Sequence, residues 1–246
     1  MHIQVFLAML AVCLLAPSAF GQATATAPRK PLAEQPLRMG KDIEAFEAQD
    51  RLQPPPKHAV LLTGASSLRM WKDVGKSLAP LPVINRGFGG SYTTEVLGYM
   101  DRITLPYEPR VVVFHCGGND INAGDPPAAP LARIRTYVQR LRDKNPHTAI
   151  VFMTTTLAPS RRAKWPLLAE FNTGLAAYCK QEKNVSLVDI NAALNGPDGE
   201  PKAGHYLPDN LHPSDEGYVA IAALLKPAVD AAWQATAAAF AEKPPR

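Results

Sequence analysis

A three-layer α/β/α sandwich around a five-stranded parallel sheet is the fold class predicted from the sequence, on three observations. Five short apolar runs recur: HAVLLTG (58–64), LPVINRG (81–87), RVVVFHCGG (110–118), TAIVFMTTT (148–156) and VSLVDI (185–190). Each is rich in β-branched residues and continuous rather than alternating, as a strand buried on both faces requires. Longer amphipathic segments separate them, and right-handed crossovers between parallel strands place such segments on both sides of a sheet.

The elements follow in order. Residues 1–21, MHIQVFLAMLAVCLLAPSAFG, run apolar from Ile3 to Ala16 and then turn to small residues around Ala19-Phe20-Gly21. This reads as a signal peptide, since the run is shorter than the roughly 20 residues of a spanning helix. A secreted or periplasmic protein is therefore expected, with no stable membrane insertion after the leader is removed. His2 is the one candidate charge ahead of the apolar run, and Cys13 fits a lipid-acceptor site poorly because apolar residues continue beyond it. Residues 22–36 are rich in Ala, Thr and Pro without apolar periodicity and read as a flexible linker. A single domain is expected over 37–240, opening with a helix in MGKDIEAFEAQDR (39–51) that Pro54, Pro55 and Pro56 close off. Helical stripes then appear at Leu131, Ile134, Val138 and Leu141, at Leu168, Phe171, Leu175 and Cys179, and after His212 at Tyr218, Ile221, Leu225 and Val229.

Composition narrows the function classes. The 246 residues are 46% hydrophobic, enough for a buried core. Lys plus Arg exceed Asp plus Glu, 26 against 22, giving a formal charge of +4 without a dense basic run. Nucleic acid is not an expected partner. Cys116 and Cys179 lack metal-ligand spacing and are compatible either with a disulfide or with two buried thiols.

In an open parallel sheet ligands bind outside the carboxyl ends of the strands. The polar residues at those ends can do acyl-transfer chemistry. Ser66 and Ser67 follow the first run, and Gly89-Gly90 the second; Asn119-Asp120 follow the third, and Asp209 and His212 lie between the fifth run and the last helix. A serine hydroxyl needs a base to take its proton, and the base needs a third group to fix its tautomer. In PDNLHPS, Asp209 and His212 stand three apart between Pro208 and Pro213, spacing that lets the carboxylate meet Nδ1–H and leaves Nε2 free. Attack on an ester carbonyl also needs donors for the developing oxyanion. The backbone N–H groups of Ser66 and Gly90 and the Asn119 carboxamide are the candidates.

Taken singly these signals are ordinary. A serine at 66 or 67 is what a helix N-cap looks like. GFGG is a turn, with Tyr92 where a dinucleotide fingerprint needs its third glycine. Asp120 reads as a turn residue or cap, and His58, His115, His147 and His205 as structural. SRRAKW (160–165), after the fourth run, reads as a solvated helix entrance or, less simply, as cations and Trp165 placed beside a pocket for an acidic or sugar-bearing substrate.

Together, Ser66 in GASS, Gly90 in NRGFGGS, Asn119 in GGND and the pair in DNLH resemble, in chain order, the four blocks of the SGNH (GDSL-like) hydrolase family. The similarity spans about 58–230. It implies a flavodoxin-like sheet, Ser66 as nucleophile, Ser66, Gly90 and Asn119 as oxyanion donors, His212 as base and Asp209 as orienter, with no metal or organic cofactor. It further implies a serine hydrolase acting on carboxylic esters, with short-chain or O-acetyl esters, free or on carbohydrate, expected from the lack of a lid-like apolar insertion. An acyltransferase that passes the group to a sugar hydroxyl, or a non-catalytic sugar-binding module, is the alternative. Ala65 stands where the family has Asp before the nucleophile. Ser67 is the rival nucleophile and otherwise a helix starter.

Overall fold

The computed structural model describes Leu32 and residues 35–241. The signal-peptide segment, Cys13 and most of the linker segment lie outside the described residues. Helix α1 (Gly40–Leu52) precedes the sheet, ending just before the prolines. Strands β1 (Val60–Gly64), β2 (Val83–Gly87), β3 (Val111–His115), β4 (Ala149–Met153) and β5 (Val185–Val188) are all parallel, in the order β2-β1-β3-β4-β5. Helices α2 (Ser66–Arg69) and α3 (Val74–Ser77) follow β1; α4 (Thr93–Gly98) and α5 (Met100–Ile103) follow β2. Next come α6 (Gly118–Asn122) and α7 (Ala128–Lys144) after β3, and α8 (Trp165–Gln181) after β4. Finally α9 (Asn191–Leu194), α10 (Asp215–Ala235) and α11 (Ala237–Phe240) follow β5. The five apolar runs and the three helical stripes all fall on elements of the expected type.

The period of two in each strand divides the interior. Leu61, Val112, Phe114, Ile150 and Phe152 face one side, with Ile43, Val96, Ile134, Leu141, Leu168 and Phe171 packed on them. Val60, Leu62, Val111, Val113, Val151 and Met153 face the other, against Leu68, Val74, Ile221, Leu225 and Val229. Fully burying one such aliphatic side chain contributes about 1.5–3 kcal/mol, which is why the sheet is apolar on both faces. Cys116 and Cys179 are free, buried thiols in the first of these clusters, which decides between the two readings of the pair.

Strand order reverses between β1 and β3, so the crevice at that switch point is where this topology opens a site. Gly64 and His115 end those strands side by side, and Ala65 N–H donates to the His115 carbonyl at 2.9 Å. Gly64 has φ +138°, and a Cβ there would lie 2.1 Å from the His115 carbonyl oxygen. Only glycine admits that approach, and it brings the turn carrying Ser66 against the turn carrying Asn119. Among the described residues no helix is long and apolar enough to cross a membrane.

Candidate active site

Ser66 is the first residue of α2, directly beyond the switch-point end of β1. The residue capping that helix is Ala65, in extended conformation and with no side-chain cap bond. The capping role expected for Ser67 is therefore not what the structure shows. Ser66 itself starts the helix, and its hydroxyl is turned towards the loop before α10. Ala65, in place of the family's Asp, is part of the buried core, so the position is filled by packing rather than by charge.

The 204–214 loop holds the other two members. Leu207 N–H donates to the His212 carbonyl at 2.9 Å and Ser214 N–H to the His205 carbonyl at 3.0 Å, closing a tight excursion with Asn210 at φ 54°. Inside it, Asp209 Oδ1 accepts from the N–H groups of Leu211 at 2.9 Å and His212 at 3.0 Å. Its Oδ2 accepts from His212 Nδ1 at 2.6 Å, and His212 Nε2 lies 2.8 Å from Ser66 Oγ. Burial alone would raise the Asp209 pKa, but the bonds from the His212 ring and from these two N–H groups outweigh it and hold the carboxyl down at about 2. An ionised Asp209 only accepts, so Nδ1 carries the ring proton and Nε2 presents its lone pair to the serine hydroxyl. Ser214 then caps α10, accepting from Gly217 N–H at 3.1 Å, with Asp215 and Glu216 in the first turn where the helix dipole favours them.

Opposite this chain stand Asn119 and the Gly90 loop. Asn119 Nδ2 donates to the Ser91 carbonyl at 3.0 Å, tying the GGND turn to the GGS turn. Gly90 has φ +68°, and its carbonyl accepts from Arg38 Nη2 at 2.9 Å, while the same guanidinium grips Glu95 in α4. A cavity of about 30 Å³, room for about two water molecules, is lined by Ser66, His115, Asn119, Thr155, Arg161 and His212 among others. Gly90 is exposed and is not among the residues that line it. Ser66, Asn119 and His212 thus meet at one cavity, Asp209 backs it through the ring, and Gly90 is not brought into its lining.

Asp120 is not the turn residue or cap expected. It is fully buried, accepting from Thr93 N–H at 3.0 Å and pairing with Arg133 Nη1 at 3.0 Å, so it cross-links the two turns that carry Asn119 and Gly90. Of the SRRAKW cations, Arg161 enters the cavity. Arg162 pairs with Glu200 at the surface, and Trp165 is occupied by the Ala158 carbonyl at 2.9 Å. His115, read from the sequence as structural, has a buried ring that lines the cavity with Nδ1 unpartnered. Its position at the end of β3 was the available signal. Among the described residues no group of three or more His, Cys, Asp or Glu is placed to hold a metal ion.

Burial pushes the His115 pKa down to about 4, against backbone hydrogen bonds at Met153 and Thr154 that favour the charged ring. The folded value lies below the ~6.5 of an unfolded histidine. The stability of the neutral ring is therefore complete above that pH and is lost as pH falls towards the folded value. Urea titrations should show unfolding free energy falling by up to about 1.4 kcal/mol per pH unit from this residue between the two values. His115→Gln should remove that share of the slope, and an unchanged slope would refute the assignment.

Comparison with known proteins agrees with this fold. The family model described as GDSL-like lipase/acylhydrolase matches residues 46–220. No curated protein matches the chain. Among solved structures, a protein of Bacteroides fragilis assigned as an acylhydrolase is 22% identical, with 80% of this chain and 99% of that chain covered at TM-score 0.69. A GDSL-like lipase from Bacteroides thetaiotaomicron is 19% identical, over 77% and 98% of the two chains, at TM-score 0.67. A carbohydrate esterase family 3 protein from Talaromyces cellulolyticus is 14% identical, over 71% and 97%, at TM-score 0.56. All three share the fold.

Proposed function

The chain belongs to the GDSL-like lipase/acylhydrolase family and is a carboxylic ester hydrolase, and on that premise we propose an exported serine esterase that removes short acyl groups, including O-acetyl groups on carbohydrate, through an acyl-enzyme. The observation that carries the reading is the unbroken chain from Asp209 Oδ2 through the His212 ring to Ser66 Oγ, at 2.6 and 2.8 Å. Ser66 Oγ bonds to the ester carbonyl carbon as its proton passes to His212 Nε2, and the carbonyl π pair moves to oxygen. The tetrahedral species collapses, the carbon–alkoxy bond breaks, and the leaving alcohol takes the proton from Nε2. Water then adds to the acyl-enzyme with the same proton traffic, freeing the acid and restoring the serine. Asn119 Nδ2 and the N–H groups of Ser66 and Gly90 are the assigned oxyanion donors, each contributing about 10²- to 10³-fold in rate.

The cavity volume supports a short acyl group, and the signal-like residues 1–21 support export. The fold is also that of a carbohydrate esterase, so acetylated sugars belong in the test. A series of p-nitrophenyl esters from acetyl to dodecanoyl, with acetylated sugars alongside, should show kcat/KM falling by roughly tenfold or more beyond butyryl. A flat or rising chain-length profile would overturn the short-acyl reading.

A further inference from the structure

Two adjacent arginines in the segment after β4 meet opposite fates. Arg162 is solvated, paired with Glu200 and stacked over Trp165 at 4.4 Å. Arg161 is largely buried and lines the cavity with Ser66 and His212. Among the described residues no carboxylate is bonded to it, and desolvation lowers its pKa. Buried guanidinium groups are ordinarily paired, because leaving water without a partner is costly. The bond Arg161 does make is from Nη2 to Asn119 Oδ1, at 2.5 Å.

The backbone around Arg161 is tethered on both sides. Its N–H donates to the Ala158 carbonyl at 3.0 Å, and Ser160 N–H donates at 3.0 Å to the carbonyl of Asn210, inside the loop that carries Asp209 and His212. Nη1 lies 3.1 Å from where a Cβ of residue 118 would stand, so the glycine before Asn119 makes room for the guanidinium. A guanidinium only donates and the Ser91 carbonyl only accepts. Between them they leave the Asn119 carboxamide a single orientation, with Oδ1 towards Arg161 and Nδ2 towards Ser91. Ser91 takes one Nδ2 hydrogen and the second remains for a ligand in the cavity.

Resting on the esterase reading above, we propose that Arg161 is a positioning residue which fixes and polarises the Asn119 carboxamide, making Nδ2 a stronger and pre-aimed donor to the oxyanion. A charge-assisted bond to Oδ1 draws electron density from the amide nitrogen and so strengthens the N–H opposite. That effect grows with negative charge on the substrate oxygen and therefore acts on the transition state rather than on substrate binding.

The test is a double-mutant cycle on p-nitrophenyl acetate, with melting temperatures recorded for every variant. Arg161→Met should lower kcat by roughly 10- to 100-fold, with KM changed less than about twofold. The melting temperature should be equal or higher, because a desolvated charge is removed. Arg161→Lys, which keeps the charge and one donor, should recover part of kcat. In an Asn119→Ala background, assayed where its rate still exceeds that of Ser66→Ala, Arg161→Met should have little further effect. Three results would overturn the proposal: wild-type kcat in Arg161→Met, full additivity in the cycle, or a rise confined to KM. The last would identify Arg161 as a site for an anionic group on the substrate. A normal Arg161→Met in a protein that Ser66→Ala inactivates removes this inference alone, whereas an active Ser66→Ala removes the esterase mechanism beneath it.

Discussion

Ser66→Ala is expected to lower kcat on p-nitrophenyl acetate by about 10⁶-fold, as loss of a triad member does in a serine protease, while leaving the fold intact. The side chain loses one oxygen, whose bond in the structure is to His212 Nε2 at 2.8 Å. Circular dichroism should therefore be unchanged. His212→Ala should fall to within about tenfold of the same rate, and the double variant should be no slower than either, because residues that act on one proton do not contribute independently. A fluorophosphonate should label wild type and neither variant. If Ser66→Ala retained the label, Ser67 would become the nucleophile; if Ser66→Ala and Ser67→Ala each kept full activity, the serine acyl-enzyme would be lost with them.

Asp209→Asn is the second large expectation, at about 10³- to 10⁴-fold in kcat, near the effect of the corresponding change in a serine protease. The local hydrogen bonds say why an isosteric change does so much. Oδ1 is held by two backbone donors, Leu211 N–H and His212 N–H. The oxygen of an asparagine must stay at that position, which turns its NH₂ towards His212 Nδ1. The ring then carries its proton on Nε2 and faces Ser66 as a donor, unable to take the hydroxyl proton. Kinetics should show kcat falling with KM nearly constant, and the downfield proton resonance of a Nδ1–H···carboxylate bond should vanish from the NMR spectrum. A variant within tenfold of wild type would mean that Asp209 does not set the tautomer. Because the carboxyl of Asp209 is held at about 2, it stays ionised throughout the mildly acidic range.

Much of this was legible in the sequence because it depends on local pattern. Continuous β-branched runs mark strands whatever their partners, and four short blocks placed at strand ends point to one edge of a parallel sheet. What lay hidden depends on side chains meeting across long separations. Asp120 looks like a turn residue until Thr93 and Arg133 close on it, 27 and 13 positions away. Arg161 and Arg162 are chemically identical in sequence, and only the fold separates one that meets Asn119 from one that meets Glu200. Arg38, ahead of the segment matched by the family model, reaches Gly90 across 52 positions. The capping residue, Ala65, has no signature in the sequence because serine is a good cap in general, whereas here Ser66 turns its hydroxyl to His212 and Ala65 packs in the core.

The hydroxyl of Ser66 and the imidazole of His212 are 146 positions apart, and Tyr218 at the start of α10 fastens to the Ser67 carbonyl at 2.8 Å. Ser66 and His212 are thus brought together where α10 docks against the serine turn. A chain cut before residue 209 keeps the serine turn but lacks both Asp209 and His212, so no imidazole stands ready for the Ser66 hydroxyl. Ester cleavage therefore reads out directly whether that long-range junction is intact.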